Sequence, residues 1–283
     1  MKRRNVFWKT MSVLLVLSLL WGGCEKKASM EEKEDRLKIT FFDVGKGDAI
    51  LIETEETCML IDAGYDDTSE SILKYFKQQN REKLDYLVLT HFDKDHVGGA
   101  DRVMEAIETE RILQPDYPSD GAQYLEYQEA LEAAGQQPEL VTETLKLSFE
   151  GVECLIYPPQ QQEYEEEDND FSLVISMTYG EQRFLFAGDC ERERLEELMN
   201  QTEFDLNHQL LKVPHHGRKE KNSEEFLEAV SPEIAIITCS REQPAEDKVL
   251  GILDSLGTET YLTSQGTIIC TSDGGEHLEI VQE

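Results

Sequence analysis

Thr90-His91-Phe92-Asp93-Lys94-Asp95-His96-Val97-Gly98-Gly99 follows directly on the apolar run Leu84-Asp85-Tyr86-Leu87-Val88-Leu89. That run has the length and residue content of a buried β-strand, and the ten residues after it read as a loop leading into a helix. Four residues able to ligate a metal, His91, Asp93, Asp95 and His96, fall within six positions. In a tight loop at the C-terminal end of a strand, alternate side chains can turn toward one point, and Gly98 and Gly99 let the next helix start close to them. A polar loop that merely caps a helix through Asp95 accounts for one carboxylate and for neither histidine.

Two more strand ends carry related chemistry. Leu211-Lys212-Val213-Pro214-His215-His216-Gly217 closes an apolar strand with adjacent histidines. On extended backbone such neighbours point to opposite sides, so one is expected to hold a metal while the other faces substrate. Phe184-Leu185-Phe186-Ala187-Gly188-Asp189 is another buried strand, and its terminal Asp189 either caps the helix that follows or offers two oxygens to bridge two cations. Four of the chain's six histidines lie in these loops, which favours the bridging reading; His208 and His277 stand alone and read as structural.

Around these motifs, β-rich runs alternate with helical patterns. Residues 37–44, 48–54 and 58–64 read as a strand meander, 69–80 as a helix, 84–90 as a strand, 97–108 as a helix, 111–115 as a strand and 120–135 as a helix. The second half repeats this logic: strands at 147–150, 152–158, 172–180 and 183–189, then helices at 191–200, 223–230 and 248–256 between strands at 208–214, 233–238 and 258–262. Strands at 266–270 and 277–281 close the chain. Two sets of strands with interspersed helices imply an α/β fold of two sheets covered by helices on their outer faces. Gln160 to Asp170, with six acidic residues, reads as a solvated loop. Five cysteines, Cys58, Cys154, Cys190, Cys239 and Cys270, sit singly; most lie in apolar, strand-like stretches, which favours free core thiols over a disulfide framework.

The 283 residues carry 27 Lys plus Arg against 59 Asp plus Glu, a net charge of −32. Such a surface repels phosphate backbones and excludes a generally basic nucleic-acid binder. Hydrophobic residues at 39% and recurring apolar runs exclude an acidic disordered chain. Lys2, Arg3, Arg4 and Lys9 precede the apolar run Met11 to Trp21, the pattern of an export signal and too short for a bilayer span. Leu20-Trp21-Gly22-Gly23-Cys24 resembles a bacterial lipobox, with Trp21 a departure, so residues 1–23 are expected to be a lipoprotein signal peptide and Cys24 its lipidation site, with secretion as the alternative. Residues 24–36 then read as a flexible tether and 37–283 as the folded domain. Removing residues 1–23 takes away four basic and no acidic groups and moves the net charge to −36.

The ordered motifs resemble the metallo-β-lactamase-fold hydrolases, and within them the hydrolase domain of ComEC-type competence proteins. Phe41-Phe42-Asp43-Val44-Gly45-Lys46-Gly47-Asp48-Ala49 matches that group's DVGQGDA opening, and Leu60-Ile61-Asp62-Ala63-Gly64 supplies its Asp. THFDKDHVGG matches SHPDxDHxGG; Asn169-Asp170-Phe171-Ser172-Leu173 matches NDxSL; LFAGD and LKVPHHG follow in order, and 263–274 resembles the closing strand pair. The resemblance implies a four-layer αββα sandwich of two mixed sheets with outer helices, holding two divalent ions, zinc or manganese. His91 and Asp93, with Asn169 where the superfamily has a further His, would hold one ion, Asp95, His96 and His216 the other, and Asp189 would bridge. Carboxylate and amide in place of imidazole shift the first site toward manganese. Asp62 would orient the loop from behind. Asp43 and Asp48 read as structural, with Lys46 a candidate contact for an anionic substrate.

The same resemblance implies hydrolysis by a metal-activated hydroxide, with His215 and Asp95 as catalytic residues and His215 and Arg218 contacting substrate. Gln243-Pro244 stands where these proteins often carry His-Pro. The expected activity is that of a phosphodiesterase acting on nucleic acid, including single-stranded DNA, or on an envelope phosphodiester, at an extracytoplasmic membrane surface and without a stable nucleic-acid partner. Hydrolysis of an ester, lactone or β-lactam, and a non-catalytic surface lipoprotein with a degenerate metal site, are the alternatives.

Overall fold

The computed structural model describes residues 36–165 and 167–283. The export signal, Cys24 and all of the expected tether except Arg36 lie outside the described residues.

Fifteen strands, eight α-helices and three short 3-10 helices make up the regular structure of the described residues. The first sheet holds β1 (Leu37–Phe41), β2 (Ile50–Glu53), β3 (Cys58–Ile61), β4 (Lys83–Val88), β5 (Glu108–Pro115) and β6 (Glu139–Val141), joined at its other edge by β14 (Ile268–Ser272) and β15 (Leu278–Gln282), in the order β15-β14-β1-β2-β3-β4-β5-β6. The second holds β7 (Leu145–Phe149), β8 (Val152–Tyr157), β9 (Val174–Tyr179), β10 (Gln182–Phe186), β11 (Leu210–Lys212), β12 (Ile234–Ile237) and β13 (Glu259–Leu262), in the order β13-β12-β11-β10-β9-β8-β7.

Both sheets are mixed, and in the same way. Strands β1 to β3 and β7 to β10 pair antiparallel, β8 and β9 through the long connection that carries the helical turn Glu167–Asp170, whereas β3 to β6 and β10 to β13 pair parallel. A parallel pair needs a crossover, and a helix supplies each one. Helices α1 (Ser69–Gln79), α3 (Ala100–Ala106) and α4 (Ala122–Ala134) connect the parallel strands of the first sheet; α6 (Arg192–Asn200), α7 (Ser223–Val230) and α8 (Asp247–Leu256) do so in the second. Two single turns, α2 (Lys94–Val97) and α5 (Glu167–Asp170), complete the set.

The two-residue period of a strand then sorts side chains into layers. Met59 and Ile61 on β3, Phe184 and Phe186 on β10, and Ile175 and Met177 on β9 share one core between the sheets. Their neighbours Cys58 and Leu60 join Ile72 and Phe76 of α1 in a second core, while Leu185, Ala235 and Ile237 join Leu195, Phe226 and Leu253 of α6, α7 and α8 in a third. Three cores between four layers make the αββα sandwich. All five cysteines of the described chain are free and buried in these cores.

Two sequence expectations need correction. Residues 97–108 are not one helix: α2 and α3 are separate, with Gly98-Gly99 between them. The acidic stretch 160–170 is not wholly solvated, because Asp170 is buried and accepts the N–H groups of Glu191 and Arg194. The chain also adds β6, whose three residues are mostly exposed and leave little apolar signal. No helix among the described residues is long and apolar enough to cross a membrane.

Candidate metal centre

The parallel halves of both sheets aim their carboxyl ends at one edge of the sandwich, where ligands of α/β sheets gather. Asp62 follows β3, Thr90 and His91 follow β4, Asp189 follows β10, His215 and His216 follow β11, and Thr238 follows β12. The antiparallel neighbours add residues that precede a strand, Asp48 before β2 and Asn169 before β9. Loops distant in sequence therefore meet because strand direction sends them to the same place.

Asp62 organises the first loop from behind. It sits at φ 56° and its carboxylate accepts the Thr90 N–H at 2.7 Å and the Thr90 hydroxyl at 2.6 Å, while facing His96 Nδ1 at 2.8 Å. Tyr117 Oη accepts the Phe92 N–H at 2.8 Å, and Ala63 donates to the His96 carbonyl. Gly99 is required by close approach: a Cβ there would lie 2.5 Å from the Ala63 carbonyl and 2.7 Å from Ser69 Cβ.

These contacts assign the imidazole tautomers. The His216 Nδ1 lies 2.9 Å from the Thr238 carbonyl oxygen, which only accepts, so Nδ1 carries a proton and Nε2 is the nitrogen turned toward the site. His96 Nδ1 faces the Asp62 carboxylate, with the same consequence. The Thr90 hydroxyl donates to Asp62 and so accepts from His91 Nδ1 at 3.1 Å, which leaves a lone pair on a buried His91 Nε2 that has no partner.

The Nε2 atoms converge. His96 Nε2 and His216 Nε2 lie 3.3 Å apart, and the same Asp189 oxygen is 3.3 Å from the first and 2.8 Å from the second. Asp95 Oδ2 is 3.4 Å from His216 Nε2. His91, His96 and Asp189 form an adjoining group whose donor atoms all lie within 4.8 Å of one another. Asp93 is 4.0 Å from His91 Nε2 and its side chain is 40% exposed. Asn169 gives its amide N–H to Glu191 at 2.8 Å, and its buried carbonyl oxygen has no partner. Unpartnered buried Nε2 and Oδ1 atoms beside paired imidazoles and carboxylates fit divalent cations held by mixed N and O donors.

The charges point the same way. Burial would raise the Asp189 carboxyl, but His216, His96 and Lys212 hold it well below the usual carboxylate range. Burial lowers His91, helped by His96, and keeps that ring neutral as a ligand must be. Burial opposes charge on His96, yet Asp189, Asp62 and Asp48 raise it, so a metal at Nε2 competes with a proton.

The second loop differs from the extended backbone expected for adjacent histidines. His215 (φ 46°, ψ 47°) and His216 (φ 53°, ψ 27°) are both left-handed, and with Asp62 they make up half of the six non-glycine residues with positive φ among those described. Strain of this kind concentrates where a site dictates side-chain direction. The two rings still diverge: His216 enters the donor cluster, while His215 Nδ1 sits 3.0 Å from Glu191 and 3.2 Å from Glu220. Those carboxylates overcome burial and push His215 up to about 9. Arg218 is exposed beside this loop, and Gln243 is exposed too.

Sequence reasoning missed several members of the site. Asp48, expected to be structural only, is buried at its base, takes the Thr238 hydroxyl at 2.6 Å and pairs with Lys212 at 2.5 Å. Lys212 is fully buried and also donates to the Gly188 carbonyl at 2.9 Å, with Asp189 Oδ1 at 3.3 Å. A lysine inside the apolar run Leu210-Leu211-Lys212-Val213 was the available signal, since a buried ammonium needs paired acceptors. Glu191, Glu220 and Thr238 carried no comparable mark. Away from the site, His208 is buried against Ser176 and the Leu206 carbonyl.

Comparison with known proteins agrees with this architecture. The chain is 25% identical over 260 residues to ComE operon protein 3 of Bacillus subtilis, covering 82% of this chain and 32% of that protein. It is 28% identical over 212 residues to Recombination protein 2 of Haemophilus influenzae, covering 73% of this chain and 25% of that one. The chain thus spans about a third or less of the length of these relatives. The solved metallo-β-lactamase fold protein YhfI of Bacillus subtilis superposes with a TM-score of 0.60 at 11% identity, over 83% of this chain and 100% of that one. Residues 42–241 match the model of the metallo-beta-lactamase superfamily, a range that contains every donor described above, and the chain belongs to that superfamily.

Proposed function

We propose that this chain is an exported, dinuclear phosphodiesterase of the ComEC-like type, anchored at the membrane through Cys24 and acting on nucleic acid or on an envelope phosphodiester. The observation that carries the reading is the single Asp189 oxygen facing both His96 Nε2 and His216 Nε2, with Asp95 and His91 alongside. Asp95, His96 and His216 would hold one divalent ion and His91, Asp93 and Asn169 the other, with Asp189 shared. Bound zinc or manganese would supply Lewis-acid charge and an acidified water for attack at phosphorus.

The chain's own residues supply the rest. Asp62 and the Thr238 carbonyl fix His96 and His216 with their Nε2 atoms forward. His215, held as imidazolium between Glu191 and Glu220, is placed to pair with a phosphate oxygen and to give its proton to the leaving oxygen. Arg218 offers a planar pair of donors at the exposed rim. With the net charge at −36 once residues 1–23 are removed, these few local donors favour a short or small phosphodiester over a long tracked strand.

The test is turnover by the purified protein supplied with manganese or zinc, using labelled single-stranded DNA and bis-p-nitrophenyl phosphate. Cleavage that disappears in Asp189→Ala is the expected result. No cleavage of DNA, of phosphocholine esters or of bis-p-nitrophenyl phosphate under any metal would overturn the reading, and activity confined to esters, lactones or β-lactams would reassign the substrate.

A further inference from the structure

The turn Gly45-Lys46-Gly47-Asp48 is fastened to the ligand loop by its backbone. The Asp48 N–H donates to the Asp95 carbonyl at 3.0 Å, and a Cβ on Gly47 would lie 2.6 Å from that same oxygen. This close packing, possible only for glycine at position 47, leaves Lys46 little choice of place. Its ammonium lies 2.8 Å from Asp95 Oδ2, the oxygen that also faces His216 Nε2.

The two lysines of the site differ in what they can do. Lys212 is fully buried among the Gly188 carbonyl, Asp48 and Asp189, so leaving would strand an ammonium or two carboxylates. The side chain of Lys46 is 24% exposed, and that of its partner Asp95 only 5%. An ammonium at the rim, on a flexible four-carbon stem, can exchange its carboxylate for water at small cost.

We infer that Lys46 is a built-in competitor of the second metal ion: ammonium and divalent cation seek the same Asp95 oxygen, so this chain loads that ion at a higher metal concentration than its donors alone would set. The inference rests on the metal-centre part of the proposed function and not on its substrate. On loading, the displaced ammonium stays beside the site on an anchored turn, free to meet an anionic substrate.

Calorimetric titration of the chelator-treated full-length protein with manganese tests this without any turnover. Lys46→Gln should tighten binding about three- to fivefold, in line with loss of a partly exposed ion pair. Lys46→Arg, which keeps the charge, should stay within about twofold of wild type. Lys46→Met serves as a second neutral variant should the glutamine protein fold poorly, and the metal-induced rise in Tm should be larger in either neutral variant. Equal or weaker binding by the neutral variants overturns the inference while leaving the metal centre standing. No binding by any variant, wild type included, overturns both, whereas metal binding without phosphodiester cleavage leaves this inference intact.

Discussion

In the half of the proposed centre assigned to Asp95, His96 and His216, every donor is buried and each imidazole is held from behind, by Asp62 in one case and by the Thr238 carbonyl in the other. In the half formed by His91, Asp93 and Asn169, only His91 is held that way; Asp93 is partly exposed and Asn169 is drawn to Glu191. The difference follows from the sheets. Both halves draw on the loop and turn after β4, which carry His91, Asp93, Asp95 and His96; they differ in their remaining member, since His216 follows the parallel strand β11 whereas Asn169 arrives on the single turn α5 before the antiparallel strand β9. Preorganised donors should therefore bind their ion tightly and in one geometry, and the other ion should depend on what the loop around Asn169 allows.

The largest way to break this contrast is to remove what both halves share. Asp189→Ala takes the carboxylate from His96, His216 and Lys212 together. We expect loss of both ions by elemental analysis and a fall in kcat/KM of about a thousandfold or more. Retention of one ion with activity intact would mean that the halves do not share Asp189.

Next in size is the charge pair beside the less buried half, where Glu191 meets both Asn169 and His215. His215 is pushed up to about 9 by Glu191 and Glu220 against the opposing effect of burial, compared with about 6.5 in an unfolded chain. A histidine raised in the folded state stabilises it fully below pH 6.5, and that stabilisation is lost as pH climbs through 9. In chelator-treated protein, His215→Gln should therefore cost up to about 3 kcal/mol at pH 6 and little at pH 9.5, read by denaturant unfolding. A cost that does not change with pH would show that the ring contributes only packing.

The better-held half gives the third prediction. Asp62→Asn keeps the shape but weakens the acceptor behind His96, and supports of this kind are worth about 10- to 100-fold in metal affinity. The loss should fall on one ion of the pair in a metal titration, leaving the other within about twofold. Equal weakening of both would show that Asp62 acts on the whole loop through Thr90 rather than on His96.

Much of this arrangement was legible in the residues, and the parts that were not share a cause. Buried parallel strands such as Leu87-Val88-Leu89 and Phe184-Leu185-Phe186 announce themselves by apolar runs ending in glycine or polar residues. His91, Asp93, Asp95 and His96 are legible because one short loop carries them all. Asp48, Lys212 and Thr238 act across loops that are adjacent only after folding, and each has an ordinary local explanation as turn, strand or strand end. The left-handed backbone of His215 and His216 was illegible for the same reason: it is imposed by the converging carboxylates and the Thr238 carbonyl, where isolated non-glycine residues avoid it. Asp170 looked solvated because its neighbours are acidic, and the two backbone N–H groups that bury it lie about twenty residues on.

Asp93 carries the smallest and most diagnostic expectation. It stands 4.0 Å from His91 Nε2 with 40% of its side chain in solvent, and burial with the nearby Asp95 raises its carboxyl while His96 works the other way. A half-solvated carboxylate is screened and free to rotate, so its removal should cost the ion at His91 no more than about tenfold in affinity. Asp93→Ala, titrated beside Asp62→Asn, measures the two halves on one scale. A loss for Asp93→Ala as large as that for Asp62→Asn would mean that metal draws Asp93 inward and organises this half on arrival. A smaller loss, with Asn169→His tightening the same ion by supplying an imidazole where the amide stands, would place the weakness of this half in its donors rather than in its backbone.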